Sequence, residues 1–162
     1  MATSVRNATL KVTIEEEINL NGVRQGAKNV KRISDINEIY RRIVSCPANN
    51  ETTVALFHGT VYSDDSTLDV EDVKYIRVTN LDDTNSLTLN LQVDAGEDDT
   101  AADESASILV GAGESFVMGT PSDGIAVQDT NANIETSLHN LESIIIYPGS
   151  NVVDVEVFVA SA

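Results

Sequence analysis

Leu10, Val12, Ile14, Ile18 and Leu20 fall on one side of a two-residue alternation, with Thr9, Lys11, Thr13, Glu15, Glu17 and Asn19 on the other. A repeat of two is that of a strand with one face covered, and only Glu16 breaks it, so a long half-buried strand is predicted over residues 10–20. Asn21-Gly22 then supplies the positive-φ pair of a tight hairpin. Leu87, Leu89, Leu91 and Val93 alternate with Ser86, Thr88, Asn90 and Gln92, and Val153, Val155, Val157 and Val159 share a face near the end. Residues 74–80 run into Leu81-Asp82-Asp83-Thr84-Asn85, which is rich in turn formers and predicts a hairpin with 86–93. Short strands are expected at 107–110 and 115–118 around Gly111-Ala112-Gly113, with a turn at Pro121-Ser122-Asp123-Gly124. Residues 141–147 carry Ile144-Ile145-Ile146, a run suited to a sheet centre, and Pro148-Gly149-Ser150-Asn151 turns it back into 152–160.

Two stretches are less regular. Ile33, Ile36, Tyr40, Ile43 and Val44 are spaced nearly as on a helix, with Ser34 or Asp35 as a cap. Residues 38–45 also read as a strand ending at Cys46-Pro47 and pairing with 52–58 across Ala48-Asn49-Asn50. A short turn of helix followed by that strand is the favoured reading. From 94 to 105 the chain is small and acidic (Asp94, Glu97, Asp98, Asp99, Asp103, Glu104), a composition that predicts an exposed loop.

Val, Ile and Thr number 19, 13 and 14. Their branching at Cβ suits a pleated surface better than a helix. About eight short strands with turns between them predict an all-β fold, a single antiparallel sandwich of jelly-roll type over residues 1–162 with at most one short helix. No repeat or linker divides the chain into two cores. No stretch has the pattern of a signal peptide or membrane span, so synthesis in a cytoplasm is expected.

Charge is distributed unevenly along the chain. All ten Lys and Arg lie between Arg6 and Arg77, where eleven acids oppose them; fifteen further Asp and Glu follow, for a net −16. Such a surface repels nucleic acid and anionic lipid, and neither is an expected partner. The local reversal is Arg24, Lys28, Lys31, Arg32, Arg41 and Arg42. This set is a candidate dock for an acidic protein, including another copy of this chain.

Residues suited to reaction chemistry are few and scattered. The two histidines, His58 and His139, stand 81 positions apart with no H-x-H pair, so a cupin-like metal cluster is not expected. Gly113-Glu114-Ser115-Phe116-Val117 resembles the start of a nucleophile elbow but lacks the closing glycine. Cys46 is a lone thiol and cannot form an internal disulfide. Asp82-Asp83 and Glu97-Asp98-Asp99 offer oxygen ligands for calcium without EF-hand spacing; in so acidic a chain they read first as solvated loops. No enzyme, cofactor or resident metal is expected.

Three stretches carry a resemblance. Thr13-Ile14-Glu15-Glu16-Glu17-Ile18-Asn19-Leu20-Asn21-Gly22 resembles the opening of small structural proteins from tailed bacteriophages, in particular marine short-tailed ones. Lys74-Tyr75-Ile76-Arg77-Val78-Thr79-Asn80-Leu81-Asp82 is similar to their central strand and turn, and Val155-Glu156-Val157-Phe158-Val159-Ala160-Ser161-Ala162 to their ending. The resemblance implies a part of a virion, not a reaction, and transfers no functional residue. Its leading implication is a head decoration or cement protein, a homo-oligomer and by preference a trimer, contacting the major capsid protein or other virion proteins. A neck, tail or fibre-attachment part is the alternative. A carbohydrate-binding module comes third, because it needs aromatic platforms and the chain has seven aromatics.

Overall fold

The structure, a computed structural model, describes residues 6–58, 67–94, 104–127 and 134–162. Among these there is no helix. A first group of strands forms a projecting hairpin: β1 (Ala8–Glu15), β2 (Asn19–Leu20), β3 (Val23–Arg24) and β4 (Lys28–Ile36). The remaining strands are β5 (Glu38–Cys46), β6 (Thr52–His58), β7 (Thr67–Asp69), β8 (Val73–Asn80), β9 (Leu87–Asp94), β10 (Glu104–Val110), β11 (Ser115–Met118), β12 (Asn140–Tyr147) and β13 (Val153–Ser161).

These nine make two sheets, ordered β11-β8-β13-β5 and β10-β9-β12-β6-β7. With β7 set aside as a parallel addition to β6, eight antiparallel strands remain. In chain order, the first pairs with the eighth, the eighth with the third and the third with the sixth. In the other sheet the second pairs with the seventh, the seventh with the fourth and the fourth with the fifth. That order is a jelly roll, as the sequence predicted.

The core follows from the alternations. Val153, Val155, Val157 and Val159 of β13 meet Leu87, Leu89 and Leu91 of β9 and Ile144 and Ile146 of β12, all buried between the sheets. Burying each such side chain contributes about 1.5–3 kcal/mol. The isoleucine run does lie mid-sheet, since β12 is third of five.

Strand partners differ from the sequence reading in three places. Residues 74–80 and 86–93 do not form a hairpin: β8 joins one sheet and β9 the other, so 81–86 is an arch over the core. Likewise β5 pairs with β13, not with residues 52–58, and β6 pairs with β12. Residues 148–151 do turn the chain, but from one sheet into the other. A short connection rich in Asp and Asn satisfies either geometry, and inward alternation on both strands does not say which sheet each joins.

The expected turn of helix near Ile33 is also replaced. Residues 28–36 are a strand, and Asp35 lies at φ 64° in a bulge where the ladder slips between Ala8 and Leu10. The extra residue returns Ile33 and Ile36 to a common cluster three positions apart, which imitates helical spacing. Of the acidic stretch, Asp94 ends β9 while Glu104 and Ser105 begin β10; the loop expected between them lies outside the described residues.

Candidate functional site

The first candidate feature is the hairpin itself. Asn21 and Gly22 both hold positive φ, 53° and 79°, the pairing that lets two strands reverse without splaying. Farther down, the ladder breaks: Glu16 donates its N–H to the Ala27 carbonyl, and Gln25 donates to Ile18. A Cβ at Gly26 would stand 2.0 Å from the Glu16 carbonyl oxygen, so only glycine permits that crossing.

Among the described residues, the base of the hairpin is the part that packs on the sandwich. Leu10, Val12 and Ile33, with buried Ile36, pack on Tyr75, Phe158 and Ala160 of the outer face of the β11-β8-β13-β5 sheet. Beyond that point every residue from Thr13 to Arg32 is exposed. The half-buried strand expected over residues 10–20 is therefore half-buried at Leu10 and Val12 only, and Ile14, Ile18, Leu20, Val23 and Val30 are open to water. A two-stranded ribbon alone is marginal in water, and this one carries its apolar residues uncovered.

Register sorts the arm's two faces. Leu10 lies opposite Ile33, Val12 opposite Lys31 and Ile14 opposite Asn29, on the side that begins against the sandwich. On the other side Lys11 lies opposite Arg32, Thr13 opposite Val30 and Glu15 opposite Lys28. Lys28 donates to Glu15 at 2.7 Å and Arg24 faces Glu17 at 3.7 Å, exposed pairs worth about 0–1 kcal/mol each. Lys11 and Arg32 form a like-charged cross-strand pair, which is unfavourable unless an anion covers it.

The structure thus divides the predicted cationic set. Arg24 (β3) and Lys28, Lys31 and Arg32 (β4) ride on the arm; Arg41 and Arg42 stand on β5, the sandwich edge strand. Arg42 lies over the Tyr40 ring, 5.3 Å from its centroid. Arg41 is committed elsewhere: its Nε donates to Glu156 Oε1 at 2.7 Å. Arg77 binds the other oxygen of Glu156 and also donates to Thr79, whose hydroxyl is 2.8 Å from that of Ser115. A polar ladder therefore crosses all four strands. Hydrogen bonds from Arg77 and then Arg41 hold the Glu156 carboxyl below its ordinary value, against the opposing effect of burial.

The second feature is a groove of about 430 Å³ lined by Ser45, Leu81, Asp82, Asp83, Val152 and Asp154. Leu81 and Val152 are exposed there, and Ile43 is exposed on the same outer face two residues from Ser45. Asp82 accepts N–H bonds from Asn85 and Thr84 and a side-chain bond from Asn85, which lower its pKa and keep it ionised. Those bonds shape the arch, and fully buried Asn80 completes it by donating to the Asn85 and Gly111 carbonyls while accepting from Asp82 N–H. The arch role of Asn80 escaped the sequence reading, because nothing in the strand pattern distinguishes an inward polar residue that will meet carbonyls.

The remaining chemical candidates are dispersed. His58 ends β6, while His139 bridges to Ile125. Ser115 begins β11 after a turn, with no helix behind it. Cys46 is buried and free, its thiol pushed up mainly by loss of water. Among the described residues no three His, Cys, Asp or Glu side chains converge as a metal requires. Glu97 and Asp99 lie outside the described residues.

No protein-family model matches this chain, and no curated protein sequence does. Among solved structures, a chain from work titled "Bacillus endospore appendages form a novel family of disulfide-linked pili" is similar at 14% identity and a TM-score of 0.35. The match covers 76% of this chain and 88% of that one.

Proposed function

We propose that this protein is a non-enzymatic structural component of a bacteriophage virion, by preference a decoration or cement protein on the head. One observation carries the reading: a ribbon exposed from Thr13 to Arg32 projects from a two-sheet jelly roll. A reaction needs convergent groups in a pocket, whereas assembly needs a rigid body with a surface left open for a neighbour. The jelly roll is a fold used for viral capsids, and the sequence resembles virion proteins in three separated stretches. Its partners are then the major capsid protein and other copies of itself.

The test is a copy count on purified particles. Copies comparable in number to the major capsid protein support the head position. A few per particle shift the role to neck, tail or fibre attachment. Absence from washed particles overturns the virion role. Arg41, an obvious residue to alter, is a poor probe because its loss would break the Glu156 ladder.

A further inference from the structure

We infer that the hairpin arm docks on a second copy of this chain, with the Lys11, Val30 and Arg32 face of the arm set into the acid-rimmed groove beside Leu81 and Val152. This goes beyond the virion role by naming the arm's occupant, and it rests on the reading of the protein as an assembly module. Charge selects the occupant. Residues 6–37 hold six bases and four acids, a net +2, while residues 38–162 hold four bases and twenty-two acids, a net −18. The arm is thus a cationic ribbon on an anionic body, and the body of another copy is its electrostatic complement.

Local chemistry agrees. Lys11 opposite Arg32 is a cation pair that no acidic side chain among the described residues meets, and Asp83 and Asp154 are carboxylates at the groove. Val30 is exposed between cations, and Leu81 and Val152 are exposed between acids. Docking would cover both apolar groups and relieve the like-charge pair together. Edge-to-edge strand pairing is the competing mode for a ribbon, but Lys and Arg along both arm strands oppose it. Arm and groove are different surfaces, so the contact is heterologous and closes into a ring or continues as a chain of copies.

The experiment is charge exchange in the full-length protein, read by sedimentation velocity. Wild type is expected to associate in a concentration-dependent way. Lys11→Glu with Arg32→Glu should abolish association, as should Asp83→Lys with Asp154→Lys. All four substitutions together should restore it, because the contact is rebuilt with its signs reversed. Circular dichroism matched to wild type establishes that each variant folds, and Lys11→Gln with Arg32→Gln gives a milder loss if a reversed pair does not. The inference fails if wild type stays monomeric at its highest soluble concentration. It fails equally if a reversed pair associates as well as wild type, or if the four-fold variant folds without associating. A monomeric wild type that still fills particles would overturn self-docking and leave the virion role intact.

Discussion

Glu156 shows how one residue joins three strands. It lies on the outer face of β13, 7% exposed, with Arg41 and Arg77 leaning toward it from either side. Both arginines lie opposite Phe158 in the ladders, so their guanidinium groups reach Glu156 diagonally. The carboxyl is held below its ordinary value of 4.5. A depressed carboxyl pKa contributes stability that is full above the ordinary value and is lost as pH falls through the folded one. Glu156→Gln should therefore melt below wild type at neutral pH, and the gap should narrow once pH drops under 4.5. Melting curves of both proteins across that range check this. A gap unchanged with pH would mean that shape, and not charge, holds the ladder.

At the scale of elements, the legible and the illegible part in a definite way. Alternation in 87–93 and 153–159 identified the buried faces, because each strand is covered on one side by a neighbouring layer. The same signal over residues 10–20 was correct as a strand pattern only up to Glu15 and again at Asn19-Leu20, with residues 16–18 outside any strand, and it was misleading as burial, since every described residue from Thr13 to Arg32 is exposed. Partner choice was not legible, as the arches at 47–51 and 81–86 show. Their Asn and Asp residues announce a turn without stating whether it joins two strands of one sheet. The cationic set was legible as a charge reversal, but its division between arm and β5 falls at Asn37, between two strands that the sequence pattern does not separate. An energetic division follows from the burial pattern. Replacing residues 15–28 by a two-residue Asn-Gly turn should leave the melting temperature of the sandwich nearly unchanged, because every residue of that segment is exposed. Leu10→Ala or Ile33→Ala should cost about 1–2 kcal/mol, below the range for fully buried positions. Thermal denaturation of the three variants decides; a large loss on truncation would show that the ribbon supports its own base.

On the scale of the molecule, a body of −18 carrying an arm of +2 experiences two opposed electrostatic effects when copies meet. Whole bodies repel over long range, whereas arm and groove attract over contact distances. Salt separates the two by range. At about 0.01 M the screening length is roughly 30 Å, similar to the diameter of a small domain, so each copy senses the full charge of the other. At about 0.15 M it is roughly 8 Å, which removes most of that repulsion but spares opposite charges in contact. Near 1 M it is roughly 3 Å, and the contacts themselves weaken. Self-association is therefore expected to pass through a maximum at intermediate salt, with apolar contacts at Val30, Leu81 and Val152 preserving part of it at the high end. Sedimentation of the wild-type protein at the three salt concentrations checks this, with the Lys11→Glu, Arg32→Glu variant as a control that should stay monomeric throughout. Association strongest at the lowest salt would mean that contact pairs dominate net charge. A maximum that survived in that variant would remove the Lys11, Val30 and Arg32 face from the contact altogether.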